Sequence, residues 1–237
     1  MTFSDFRKKI LAYYRINKRN LPWRHTRDPY KILVSEVMLQ QTQVGRVLVK
    51  YPEFLKKFPS LRALSQASER DVLLAWQGLG YNRRGLMLHK LAKTTRKIPN
   101  NLEDLKKLPG VGPYTAGAIM VFAFDKPVPM IETNIRRVFI HEFGKTHDRE
   151  ILKLVENTLD QKHPREWYYA LMDYGAMLGK TVPNPNRRSA HYTRQSKFEG
   201  SNRQKRGRQL KAWLNDPTLD PARLAHKLQK LFPQRRG

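Results

Sequence analysis

The chain has 237 residues, no cysteine, and 46 Lys+Arg against 20 Asp+Glu, a formal net charge of +26. That length is ample for a sizeable core in one large domain or two closely packed ones, and 40% hydrophobic with 10% aromatic residues exclude a disordered basic tail. Missing thiols exclude disulfides, thiolate zinc sites, iron–sulfur clusters and cysteine nucleophiles, while the charge calls for a polyanionic partner, nucleic acid first.

In chain order, Phe6, Ile10, Leu11 and Tyr14 predict a helix over Phe3–Tyr14, after Ser4 and Asp5 as caps. Leu21-Pro22-Trp23-Arg24 breaks it, and Asp28-Pro29-Tyr30 opens another with Pro in the first turn. A period near 3.6 then runs from Ile32 to Val49 without an evident stop. Further helices are expected at Ser60–Gln66, Ser68–Trp76, Arg83–Thr95, Leu102–Lys107, Tyr114–Phe124, Asn134–Phe143, Asp148–Leu159 and Pro164–Leu178. Gly78-Leu79-Gly80, Pro99-Asn100, Pro109-Gly110-Val111-Gly112 and Pro127 to Pro129 punctuate them. No alternating strand pattern competes, so the expected class is all-α. After Lys180 the segment Thr181–Arg188 cannot continue a helix because of Pro183 and Pro185. A basic stretch, Arg194 through Lys211, and a helix at Pro221–Leu231 follow, read as a cationic extension with a short helical module. No apolar run reaches the ~18 residues of a membrane span, and no secretory pattern opens the chain.

Leu108-Pro109-Gly110-Val111-Gly112 lies between two predicted helices. Two glycines two apart permit a tight turn with positive φ and close backbone approach. The next helix opens on Pro113, so its free N–H groups and dipole suit a phosphate oxygen. An ordinary helical-hairpin turn has the same glycines; the charge of the chain is what separates the two readings.

Taken together, several segments resemble the helix-hairpin-helix (HhH-GPD) DNA glycosylases, most of all the MutY-type adenine glycosylases. They are Leu21–Arg24, Asp28–Tyr30 with Val34-Ser35-Glu36-Val37-Met38-Leu39-Gln40-Gln41-Thr42-Gln43-Val44, Trp76–Tyr81, Leu108–Ile119 and Leu171–Met177, in order over most of the chain. The resemblance implies two helical lobes flanking a DNA cleft. A six-helix barrel spans 22–133, with the helix-hairpin-helix at about 102–124. A second lobe comprises 1–21 and 134–180, and the extension 181–237 replaces an iron–sulfur loop. It also implies a base rotated out of double-stranded DNA at a mismatch or lesion.

Carried over onto this sequence, the resemblance makes Glu36 the general acid that protonates the leaving base. Its setting among Val34, Val37, Met38 and Leu39 would be odd for a solvated Glu and fits a carboxyl held neutral; the alternative is a buried structural carboxylate capping a neighbouring helix. Glu132 stands where the family has Asp, one methylene longer, to steady the oxocarbenium-like sugar; the alternative is an N-cap for the helix near Asn134. Asn134 helps hold that constellation. Tyr114 stands where bifunctional relatives have a Schiff-base Lys, so hydrolysis without strand cleavage is implied.

Gln41 and Tyr81 match residues that fill and wedge the gap left by the extruded base. Gly110, Val111, Gly112 and Thr115 match the phosphate-gripping hairpin. Arg24, Tyr169 and Asp173 match the base pocket, where Tyr169 replaces a Gln and leaves the choice of base open. Gly179 stands in place of the first cluster Cys, and His141, His147, His163 and His191 lack ligand spacing, so neither an iron–sulfur cluster nor zinc is expected. A C-terminal oxoguanine-recognition domain is too large for the remaining residues.

The implied function is monofunctional excision of adenine opposite guanine or 8-oxoguanine, by a monomer beside the chromosome of a prokaryote-like cytoplasm, with no membrane association. A thymine/uracil glycosylase acting on T·G or U·G, and a catalytically inactive DNA-binding protein, are the alternatives.

Overall fold

The computed structural model describes residues 2–194 and 197–233. Among them every regular element is helical, and the all-α expectation stands. None of these helices is long and apolar enough to cross a membrane. The described residues fall into two compact units. The first draws on Met1–Ile32, Pro99–Lys106 and Val111–Arg194, the second on Leu33–Ile98, Lys107–Gly110 and Gln195–Gly237. Residues after 180 are therefore shared: those up to Arg194 belong with the first unit and the later ones with the second.

In the first unit, α1 (Phe3–Asn17) is capped by the Thr2 hydroxyl and not by the predicted Ser4 or Asp5. It packs its apolar stripe against α11 (Pro164–Thr181), and its Phe6 reaches the rings of α9 (Thr133–Phe143). Phe6 is the hub, with ring centroids 5.4 Å from Phe139, 5.0 Å from Phe143 and 5.8 Å from Trp167. Helix α8 (Pro113–Phe124) is apolar around its whole circumference and buried from Thr115 to Ala123. Gly175 lets α11 approach α9: a Cβ there would collide with the Asn134 carbonyl.

The second unit is organised round Trp76 at the end of α5 (Glu69–Trp76). Its ring lies 5.7 Å from Phe54 of α3 (Val44–Lys57), and only Gly85 of α6 (Arg83–Thr94) fits beside its indole, because a Cβ would come within 2.9 Å.

Two expectations are corrected. The run Ile32–Val49 is not one helix: α2 (Pro29–Leu39) stops and α3 starts at Val44, with Gln41 at φ 52° in the intervening turn. Hydrophobic period survives a one-turn gap, so the stop is invisible to pattern. The basic stretch also contains a helix, α12 (Asn202–Asn215), capped by the Ser201 hydroxyl and paired with α13 (Pro221–Leu231). Its apolar positions are few; Leu210 and Leu214 with Leu224 and Leu228 close on Leu73 of α5. Gln195 and Ser196 of that stretch lie outside the described residues.

Candidate functional site

In the second unit, α2 presents Glu36, 6% exposed on a helix whose neighbours Leu33, Val34, Val37 and Met38 are equally buried. A turn beyond it, Gln41 is exposed and left-handed at φ 52°; Tyr81, after Gly78-Leu79-Gly80, is left-handed at φ 46°. Both are non-glycine residues in a conformation that costs about 1–2 kcal/mol, which persists only where surroundings over-determine it. The surroundings are Arg84 of α6. Its Nη1 donates to the carbonyls of Val37 (2.7 Å), Met38 (3.0 Å) and Gln40, and its Nη2 to Thr42 Oγ1 (2.9 Å) and the carbonyls of Leu79 (3.2 Å) and Gly80 (3.0 Å). One guanidinium thus ties the frayed end of the Glu36 helix to the Tyr81 turn. Burial lowers the Arg84 pKa to about 10. Sequence reasoning missed Arg84, since nothing in its neighbourhood marks an Arg whose partners lie forty residues upstream.

The hairpin turn needs one glycine conformationally. Gly110 is at φ 77°, and a Cβ there would meet Met87 Cβ at 2.8 Å. Gly112 has ordinary extended backbone and no side chain to cap with, and α8 begins at Pro113. Gly110, Gly112 and Pro113 are exposed, whereas Val111 and Thr115 are buried. The Thr115 side chain, 3% exposed, is therefore not offered to a phosphate; from that residue only the backbone fits the expected role. Tyr114, the second residue of α8, is partly buried.

In the first unit the second carboxylate is fixed by its helix. Glu132 is the N-cap of α9, its Oε1 accepting the Asn134 and Ile135 N–H groups at 2.7 and 2.8 Å. Oε2 accepts Asn134 Nδ2 at 3.1 Å. Burial pushes this carboxyl above the usual range, and the two amide bonds with Arg137 and Arg136 nearby offset it only in part. The N-cap anticipated as the alternative reading of Glu132 is thus present. Asn134 in turn accepts from Arg137 Nη1 through Oδ1 at 2.8 Å; the same nitrogen donates to the Gly175 carbonyl at 2.6 Å.

Arg24, Asp173 and Tyr169 converge as expected, but as a closed cluster. Both Asp173 oxygens are occupied: Oδ1 by Arg24 Nη2 (2.7 Å) and Arg19 Nε (2.5 Å), Oδ2 by Arg24 Nη1 (2.8 Å) and the Arg19 N–H (2.9 Å). A carboxylate has about four acceptor sites, so none is left for a base edge. Tyr169 stacks on Phe122, centroids 4.7 Å apart and planes at 5°, with the Arg24 guanidinium 4.4 Å from its ring. Tyr169 lines an open pocket of about 420 Å³ with Tyr14, Arg27, Asp125, Arg165 and Glu166.

Residues 34–165 match the family model described as HhH-GPD superfamily base excision DNA repair protein. The chain belongs to that superfamily. It is 34% identical over 198 residues to an adenine DNA glycosylase of Buchnera aphidicola subsp. Schizaphis graminum, covering 78% of this chain and 57% of that protein. An adenine DNA glycosylase of Mycobacterium tuberculosis is 45% identical over 135 residues, 54% of this chain and 44% of its own length. The chain spans about half the length of these curated relatives. Among solved structures, a thermostable thymine-DNA glycosylase superposes with a TM-score of 0.67 at 28% identity, covering 74% of this chain and 86% of that one.

The four-iron cluster carried by MutY-type members of this HhH-GPD superfamily does not fit these residues. There is no thiolate in the chain, and the position expected for the first ligand is Gly179, where a Cβ would come within 2.7 Å of the Arg137 guanidinium. A fixed cation fills the space a ligating side chain needs. Arg137 Nε also donates to Asn184 Oδ1 at 3.3 Å, and Asn186 Nδ2 to the Thr133 carbonyl at 2.9 Å, so polar bonds hold the loop after α11 onto α9. Among the described residues no three His, Asp or Glu side chains gather to hold a metal.

Proposed function

We propose that this protein is a monofunctional mismatch DNA glycosylase that hydrolyses the N-glycosidic bond of adenine opposite guanine or 8-oxoguanine. The observation that carries the reading is Glu36, a carboxyl buried on an otherwise apolar helix face within the family-matched segment. The departing base must take a proton as its bond to the sugar breaks, and apolar burial is the setting in which a carboxylic acid retains one to give. The adenine glycosylase relatives support a purine as that base.

The Glu36 carboxyl protonates a ring nitrogen of the base, and the bonding pair of the C1′–N bond leaves with it. Glu132, held by its own helix amides and by Asn134, faces the developing sugar cation with a carboxylate that need not reorganise. Water adds its oxygen to C1′, and its proton returns to the Glu36 carboxylate. Tyr114 supplies no amine for an imine, so the product is an intact strand with an abasic site. Gln41 and Tyr81, both preset in left-handed backbone, fill the vacated stack. The start of α8 lies against a phosphate. Asp173 serves by holding Arg24 against Tyr169. The protein works as a monomer without an iron–sulfur cluster or zinc, on double-stranded DNA.

A second reading, excision of thymine or uracil opposite guanine, is favoured by Tyr169 in the pocket wall and by the likeness to a thymine-DNA glycosylase structure. Incubating the protein with A·G, A·oxoguanine, T·G and U·G duplexes, followed by alkali, decides between them. Cleavage of the adenine strand alone is expected. Release of pyrimidine only would establish the second reading, and no release from any duplex would leave a DNA-binding protein without this activity.

A further inference from the structure

Helix α12 has two unlike faces. Arg203, Leu210 and Leu214 share one side at helical spacing, and the leucines close on Leu73. Arg70 clamps the end of that module, its Nη1 donating to the carbonyls of Leu214 (2.8 Å) and Asp216 (2.9 Å) and its Nη2 to that of Leu219 (2.5 Å). The module is thereby fixed on the second unit. Arg203 Nη1 donates to the Tyr81 hydroxyl at 2.9 Å, and the guanidinium lies 5.7 Å from the Tyr81 ring and 6.0 Å from that of Phe198. Phe198 is 61% exposed. On another side Lys205, Arg208 and Lys211 recur every third residue, all exposed.

A row of exposed cations along one helix face is the composition of a phosphate-binding surface. We propose that α12 is a DNA-phosphate contact of this protein: Lys205, Arg208 and Lys211 lie along the backbone, while Arg203 fixes the register of that contact to Tyr81. The proposal rests on the glycosylase reading for the role of Tyr81. It extends the footprint to a segment outside the family-matched residues 34–165. The occupant is duplex DNA because Lys205, Arg208 and Lys211 offer a line of point charges spaced for backbone phosphates.

The test measures binding of the full chain to a fluorescent duplex across a salt series. Replacing Lys205, Arg208 and Lys211 together by Gln is expected to reduce the slope of log K against log salt by about 2 to 3, at ~0.9 per lost phosphate contact. A control replacing the exposed Lys90, Lys93 and Lys153 by Gln is expected to leave the slope unchanged. An unaltered slope in the first variant, or an equal loss in the control, would overturn the proposal. For the register, Arg203→Gln and Tyr81→Phe each remove one side of the hydrogen bond. Each is expected to lower the preference for mismatched over matched duplex several-fold, with the double variant no worse than either single one. Additive losses would overturn the coupling. Absence of base release in the duplex panel would instead sink the glycosylase reading, and the salt slopes would still report on α12.

Discussion

Arg24 straddles Asp173 in a fork, two parallel bonds of 2.7 and 2.8 Å between side chains that are 7% and 1% exposed. Such a bidentate pair fixes both planes at once. The consequence reaches Tyr169, whose ring receives the same guanidinium at 4.4 Å and is held parallel to Phe122. The wall of the expected base pocket is therefore set by an ion pair that leaves its own carboxylate saturated.

Removing that charge has a predictable cost. Burial pushes the Asp173 carboxyl up, but the Arg24 fork and Arg19 more than offset it, leaving the group below the usual 3.8. A depressed carboxylate contributes stability above its unfolded pKa and loses it as pH falls through the folded one. Asp173→Asn is expected to cost about 3–5 kcal/mol at neutral pH, the range for breaking a buried pair. Denaturant melts at pH 7 and at pH 3 check this: the gap between variant and parent should narrow in acid.

At Glu132 the sign is opposite. Burial raises this carboxyl above the usual 4.5, so the folded state binds its proton more tightly than the unfolded chain does. Its contribution is fully present below the unfolded pKa and is lost as pH rises through the folded one. Glu132→Gln, whose amide oxygen can still cap α9, is expected to leave the neutral-pH melting temperature equal or higher. The same variant should lose single-turnover base release by at least ~100-fold. Glu132→Asp keeps the charge but withdraws it by one methylene, and a tenfold or larger loss is expected.

Glu36→Gln removes the proton donor without changing shape. Single-turnover rates are expected to fall by about 100- to 10,000-fold, with duplex affinity and melting temperature retained. Full activity in this variant would assign the general acid elsewhere.

Gln41 and Arg84 separate strain from function. Gln41→Gly relieves a left-handed residue and is expected to stabilise the fold by up to about 1 kcal/mol while weakening selective binding to mismatched duplex. Arg84→Met removes the donor shared by the carbonyls of Val37, Met38, Gln40, Leu79 and Gly80, of which Gln40 and Leu79 keep Thr42 Oγ1 and Gly80 keeps Trp76 Nε1, and a loss above ~3 kcal/mol is expected by chemical denaturation. A smaller loss would mean that other groups hold the Tyr81 turn.

The sequence by itself determined the helical class, most helix boundaries, and the hairpin with Pro113 at the start of α8, because period, caps and turn residues are local quantities. The long motif around Glu36 and the absence of thiols were equally plain, and the family match over 34–165 agrees with the motif. Only the tertiary structure decided the break at Gln41, the packing of α12 through Leu210 and Leu214, and the part played by Arg84, Arg137 and Arg203. Each of those arginines bonds to groups brought near by folding: Arg84 to carbonyls on two loops, Arg137 to Gly175, and Arg203 to Tyr81. The initial count of +26 treats every cation alike. Folding sorts them, since a guanidinium with buried carbonyl partners is structural and one left on an exposed helix face is available to a phosphate.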